Sequence, residues 1–136
     1  MLVILLIITL PLFGSVDLGI DTFIKEGYTK QIKNKYVGLV SNHTGVNKKL
    51  EPTIDVLLRN KVNLIALFSP EHGWKGSHYA GENTANEKSF NLPVYSLHGN
   101  TRRPTSAMLE NIDVLIYDIQ DIGVRSYTYA TTLFYL

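Results

Sequence analysis

The sequence predicts an α/β domain, Rossmann-like and three-layered, with a mostly parallel sheet that 136 residues leave incomplete. Three observations predict it. Short, continuously apolar runs recur at Tyr36–Val40, Val62–Phe68, Val94–Leu97 and Asp113–Ile119, the pattern of strands covered on both faces. Segments of helical spacing separate them, as parallel neighbours require a crossover. Each run then ends in polar, mostly glycine-containing chain: Asn42-His43-Thr44-Gly45, Ser69-Pro70-Glu71-His72-Gly73, His98-Gly99 and Gln120-Asp121-Ile122-Gly123-Val124-Arg125. Parallel strands would bring all four ends to one edge of the sheet, where open α/β sheets bind ligands.

In chain order, residues 1–16 form an uncharged apolar run broken by Pro11 and followed by Gly14 and Ser15. The run is shorter than the roughly 20 residues of a bilayer-spanning helix, so it predicts an export signal and a periplasmic or secreted product. No basic residue precedes it, and an uncleaved anchor or a buried first strand are the alternatives. Leu18–Ile32 places Ile20, Phe23 and Ile24 at helical spacing before Gly27 interrupts. After the first strand, Pro52 suits a first helical position, with Ile54, Leu57 and Leu58 on one face. Residues 69–93, rich in Gly, Asn, Ser and Glu, lack periodicity; a loop of that length in a compact domain is functional or disordered. Thr105 caps a helix that buries Met108, Leu109 and Ile112. The last segment, with Ala130, Leu133 and Phe134 at helical spacing, reads as a helix. It stops in mid-run, which predicts either a last helix docked on its own sheet or the front part of a longer protein.

Composition removes several function classes. A net charge of +1 gives no footprint for nucleic acid or an anionic membrane. The absence of cysteine excludes disulfides, thiolate metal sites and a lipidated cysteine. No GxGxxG or Walker loop is present, so no nucleotide cofactor is expected.

Glu71 is the sharpest candidate for chemistry. Pro70 stiffens the approach and Gly73 permits a turn, holding Glu71-His72 at a strand end. Partial desolvation would raise its pKa and make it a proton donor near neutrality; otherwise it caps backbone amides. Asn42 either faces ligand or bonds its own backbone, and His43 is either a site residue or structural. His43, Glu71 and His72 allow a metal-dependent hydrolase as an alternative, although no compact HxxxH or HxH pair is present and no metal is expected. Arg125 precedes a predicted helix amino end, where an anion would suit it; a salt bridge to Asp118 or Asp121 is equally open. Tyr127 and Tyr129 point to opposite sides, so at most one of them faces the site. Trp74 is either a buried anchor or a platform for a sugar ring.

The blocks Val37–Gly45, Leu67–Gly73, Leu92–Leu97 with Pro104-Thr105 and Met108-Leu109, and Asp113–Tyr129 resemble, in order, the NamZ-type exo-β-N-acetylmuramidases, formerly a domain of unknown function. The resemblance runs from about Leu18 to Leu136. It implies a glycosidase that releases N-acetylmuramic acid from non-reducing ends of peptidoglycan fragments, a role in cell wall recycling. It also implies that residues 17–136 are a Rossmann-like amino-terminal domain, whose cleft a second, absent domain completes. Glu71 inherits the family's proposed catalytic role, and Asn42, His43, His72, Arg125 and Tyr127 match other cleft positions. Trp74 and Ser126 depart from the family pattern.

On that footing Glu71 is the expected general acid, protonating the leaving oxygen. Asp121 is the second carboxylate, unless the substrate acetamido group acts as nucleophile. Arg125 is expected to hold the lactyl carboxylate of a muramyl saccharide. A muramyl-binding fragment without catalysis is the second reading.

Overall fold

A computed structural model describes residues 16–136. The predicted export signal therefore lies, but for Val16, outside the described residues. The elements are α1 (Gly19–Lys25), a single 3-10 turn (Tyr28–Lys30), β1 (Val37–Ser41), α2 (Thr53–Arg59), β2 (Leu64–Ser69), β3 (Glu87–Ser89), β4 (Leu92–Ser96), α3 (Ser106–Leu109), β5 (Val114–Asp118) and α4 (Tyr129–Phe134). One sheet joins the strands in the order β3-β4-β2-β1-β5. β1, β2, β4 and β5 are mutually parallel neighbours, and β3 pairs antiparallel with β4. The α/β class and the mostly parallel sheet are as the sequence predicts.

Alternation along β1 builds the three layers, because successive side chains of a strand leave opposite faces. Val37 and Leu39 enter one apolar cluster with Ile20 of α1 and Ile54, Val56 and Leu57 of α2. Val40 enters the other, with Phe68, Leu97 and, partly buried, Met108, Leu109 and Ile112. Gly38 faces this second cluster, and a Cβ there would stand 2.7 Å from Leu115 Cδ2. The absent side chain is what lets β5 and the α3 segment close on β1. α2 turns Ile54 and Leu57 inward as its spacing implies, but Val56 completes that face in place of Leu58, which is 40% exposed.

Thr105 caps α3 as predicted, its Oγ1 accepting from the Met108 amide at 3.3 Å. β5 forms the sheet edge opposite β3, and all five of its residues are half-buried. The stretch 69–93 is not loop throughout. Phe90 and Asn91, at φ 54° and 59°, turn Glu87–Ser89 back along β4 as a two-residue hairpin. The sequence hides this strand because it is three residues long and carries Glu and Lys, poor strand formers.

Candidate active site

Parallel pairing places the carboxyl ends of β1, β2, β4 and β5 at one edge, and the segments leaving them are cross-linked there. Gln120 N–H donates to Thr44 Oγ1 at 3.0 Å, joining the ends of β1 and β5. Ser41 Oγ donates to Asp118 O at 2.6 Å. The Thr128-Tyr129 step then ties β1 and β2 to α4: Asn42 Nδ2 donates to Tyr129 Oη at 3.3 Å and Thr128 Oγ1 donates to Glu71 Oε2 at 2.6 Å.

Glu71 sits one residue beyond the fully buried Pro70, and its side chain is 12% exposed. His72 and Gly73 follow with φ of 71° and 76°, a doubled left-handed turn. A Cβ on residue 73 would lie 2.8 Å from the His78 ring, so glycine is required on both counts. The carboxylate accepts from Gly81 N–H at 2.7 Å on Oε1 and from Thr128 on Oε2, and His98 Nε2 lies 3.5 Å from Oε1. Burial pushes this carboxyl up, but the Thr128 hydroxyl, the Gly81 amide and the nearby His98 and His72 together outweigh it. The net pKa lies below the ordinary glutamate value. The rise expected from desolvation alone is therefore reversed, because the strand end supplies donors along with burial.

The other predicted residues divide. Asn42 is buried and accepts from the Thr44 amide and hydroxyl at 2.9 and 2.6 Å, so it forms the Asx-turn and braces Tyr129. His72 turns Nδ1 to His78 O at 2.9 Å, pinning its loop while remaining close enough to act on Glu71 electrostatically. His43 is exposed and its ring packs over Gly76. His43 and Trp74 line a cavity of about 290 Å³ with Ser41, Pro52 and Phe90, and Trp74 also packs against the first apolar cluster. Tyr127 is 42% exposed and meets Tyr129 edge-on at 5.6 Å, whereas Tyr129 is buried.

Asp121 and Arg125 stand apart from the hydrogen bonds on Glu71. Asp121 folds onto its own loop, accepting from Gly123 N–H at 2.7 Å, and makes no hydrogen bond with Glu71. Arg125 is exposed and makes no hydrogen bond or ion pair among the described residues, so neither Asp118 nor Asp121 holds it. Instead Asp118 accepts from Thr53 Oγ1, and burial raises its pKa. Arg125 nonetheless lies only three residues before Thr128, within about 11 Å of chain reach of the Glu71 contact. Among the described residues no three His, Asp or Glu side chains converge as a metal site.

His98 and Thr128 line a second cavity of about 300 Å³ with Leu97, Arg102, Thr131 and Tyr135. A larger hollow of about 500 Å³, lined by Asn83, Asn86, Ser96, Asn100 and Met108, contains no titratable side chain and so carries no acid–base chemistry. The chemistry available at the strand ends is thus one largely buried carboxylate with two donors on it and the His98 ring close by, beside the cavity that His98 and Thr128 line.

Residues 37–136 match the family described as exo-β-N-acetylmuramidase NamZ, N-terminal. The chain belongs to this family. NamZ proteins are exo-β-N-acetylmuramidases, which are glycosidases. The chain is 46% identical over 123 residues to the peptidoglycan β-N-acetylmuramidase NamZ of Bacillus subtilis (strain 168), covering 88% of itself and 30% of that protein. It is similar to two solved DUF1343 family proteins of Bacteroides fragilis NCTC 9343. One is 49% identical with a TM-score of 0.74, over 86% of this chain and 29% of the other. The second is 34% identical with a TM-score of 0.70, over 90% of this chain and 31% of the other. The chain therefore spans about a third of the length of these relatives.

Sequence reasoning missed three of the groups around Glu71. Thr128 and Gly81 offer only a hydroxyl and an amide, which no spacing rule marks. His98 did stand at a strand end, but its closeness to Glu71 follows from the β2–β4 pairing and not from sequence distance.

Proposed function

We propose that this chain is the amino-terminal part of a glycosidase that releases N-acetylmuramic acid from the non-reducing ends of peptidoglycan fragments, with Glu71 as its acid–base carboxyl. The observation that carries the reading is the environment of Glu71 in a NamZ-family chain: nine-tenths buried, fixed at both oxygens, and beside a cavity at the edge where parallel sheets bind ligands. Glu71 would protonate the leaving oxygen as the glycosidic bond breaks. In the open domain it is ionised, and a sugar covering it would deepen the burial that already pushes its pKa upward. Arg125 and Tyr127, exposed on the segment that enters α4, would meet the muramyl lactyl group at the rim. His43 and Trp74 would contact more distal sugar from their own cavity. The matched relatives are about three times longer, which supports a second domain as the opposite wall of the cleft. Residues 1–16 would export the product to the cell wall compartment.

The test is Glu71→Gln in the full-length protein, assayed by release of N-acetylmuramic acid from a chromogenic muramide. A fall in kcat of about 10²–10⁴-fold is expected. Turnover close to wild type removes Glu71 from the chemistry. A second reading, a muramyl-binding unit without turnover, is favoured by the Asp121 carboxylate being engaged by the Gly123 amide of its own loop. Muramyl affinity that survives in wild type with no sugar released would select it.

A further inference from the structure

We propose that His98 is the positioning residue of this site, sharing with Glu71 the single proton that the glycosidase cycle consumes and returns. The inference deepens the proposed function and rests on it for the chemistry, but not for the pairing. His98 is 8% exposed, and its Nε2 is fully buried with no hydrogen-bond partner. A buried ring nitrogen in that position carries its full desolvation penalty unless it acquires a partner. The facing polar atom is Glu71 Oε1 at 3.5 Å, about half an ångström beyond a made hydrogen bond.

The backbone around His98 is held much more firmly than its ring. Its carbonyl accepts from Thr84 N–H at 2.9 Å, and its amide donates to Ser96 Oγ at 3.1 Å. Thr84 Oγ1 and Ser96 Oγ are themselves bonded to each other, buried. Leu97 N–H donates to Ser69 O at 2.8 Å, which locks the β4 end to the β2 end one residue from His98 and two from Glu71. This scaffold holds the His98 backbone where its Nε2 stands 3.5 Å from Glu71 Oε1. The charged and titratable groups that bear on the pair are few. Arg102 acts on His98 from the loop after β4, and His72 acts on both from the Glu71 loop. Glu71 in turn acts on Tyr129, which Asp121 also influences from the β5 end.

In the working state the pair would hold one proton between Nε2 and Oε1. As the glycosidic C–O bond breaks, its electron pair stays on the leaving oxygen, which takes the proton from Glu71. The pair is then carboxylate and neutral imidazole, the state to which burial of His98 and the donors on Glu71 incline the open domain. Water attacking the anomeric carbon releases a proton back to Glu71, and the count closes without any further reactant.

The test has two arms. In the first, the imidazole signals of the full-length protein are titrated by NMR, with and without Glu71→Gln. The His98 midpoint should fall by about 1 unit or more when the carboxylate is removed, since an opposite charge at this range shifts a pKa by that much. An unmoved midpoint overturns the pairing, whatever the protein's activity. In the second, muramide hydrolysis by His98→Gln is followed against pH. The alkaline limb should move down by about 1 unit or more, so that kcat falls about tenfold or more at neutrality and recovers in acid while KM holds. A uniform loss at every pH, or a loss confined to KM, overturns the proton-sharing role and leaves His98 structural. Absence of muramide turnover in wild type defeats the glycosidase reading, and the first arm alone then decides the pairing.

Discussion

Thr128→Val removes one oxygen from the site and almost nothing else. Valine keeps the branched shape, and the Thr128 side chain makes no capping bond to α4, so the helix loses no donor or acceptor. The Thr128 carbonyl still accepts from Thr132 N–H at 2.9 Å. What disappears is the 2.6 Å hydrogen bond to Glu71 Oε2. A bond to an ionised group contributes about 1.5–3 kcal/mol, and a carboxylate only 12% exposed has little water to replace it. The variant should therefore be less stable at neutral pH by about that amount, or about 5–10 °C in Tm for a domain of this size. The pH dependence fixes the cause. Glu71 has a folded pKa below its ordinary 4.5, so its contribution is fully present above that value and is lost as pH falls through the folded pKa. Wild type and variant should thus converge in urea denaturation as the solution is acidified below 4.5. An undiminished midpoint at neutral pH would refute the account, and so would a loss of the same size at every pH.

Further expectations follow from other contacts. Gly38→Ala would press a methyl against Leu115, Ile112 and Phe68 and should cost about 1–3 kcal/mol, read as a lower urea midpoint; an unchanged midpoint would mean that β5 moves freely on β1. Asp118 is raised above its ordinary 3.8 by burial, so the folded state loses stability as pH rises through that shifted value. Asp118→Asn, which still accepts from Thr53, should be at least as stable as wild type at neutral pH and flatter in its pH dependence; marked destabilisation there would contradict the assignment. Tyr117, whose hydroxyl donates to Tyr129 O at 2.8 Å, is pushed up to about 12 by burial. Ultraviolet titration should show a late-ionising tyrosine that Tyr117→Phe abolishes.

Much of the site's location was legible because strand ends are local facts. Continuous apolar runs broken by Asn42, by Pro70-Glu71 and by Asp121 mark where chain leaves a doubly covered sheet, and parallel pairing brings those points to one edge. The roles were less legible. Asn42 and Asp121 both stand where a ligand group would, yet each bonds its own turn, a choice between equal local options that only neighbouring atoms decide. The sign of the Glu71 pKa shift was misread for a related reason. Desolvation follows from a strand end, but the opposing donors come from residues 10 and 57 positions away.

Periodicity and turn chemistry alone thus determined the α/β class, the two-faced core around β1 and the identity of the carboxylate at the β2 end, and the block resemblance named the family. The tertiary structure decided what that carboxylate touches: Thr128 from the α4 entry, Gly81 from the long loop, and His98 from the end of β4. Hydrophobic pattern is written in near-neighbour spacing and survives reading one residue at a time. Hydrogen-bond partnership depends on distances of about 3 Å between chain segments. Those distances exist only once strand order and register are set.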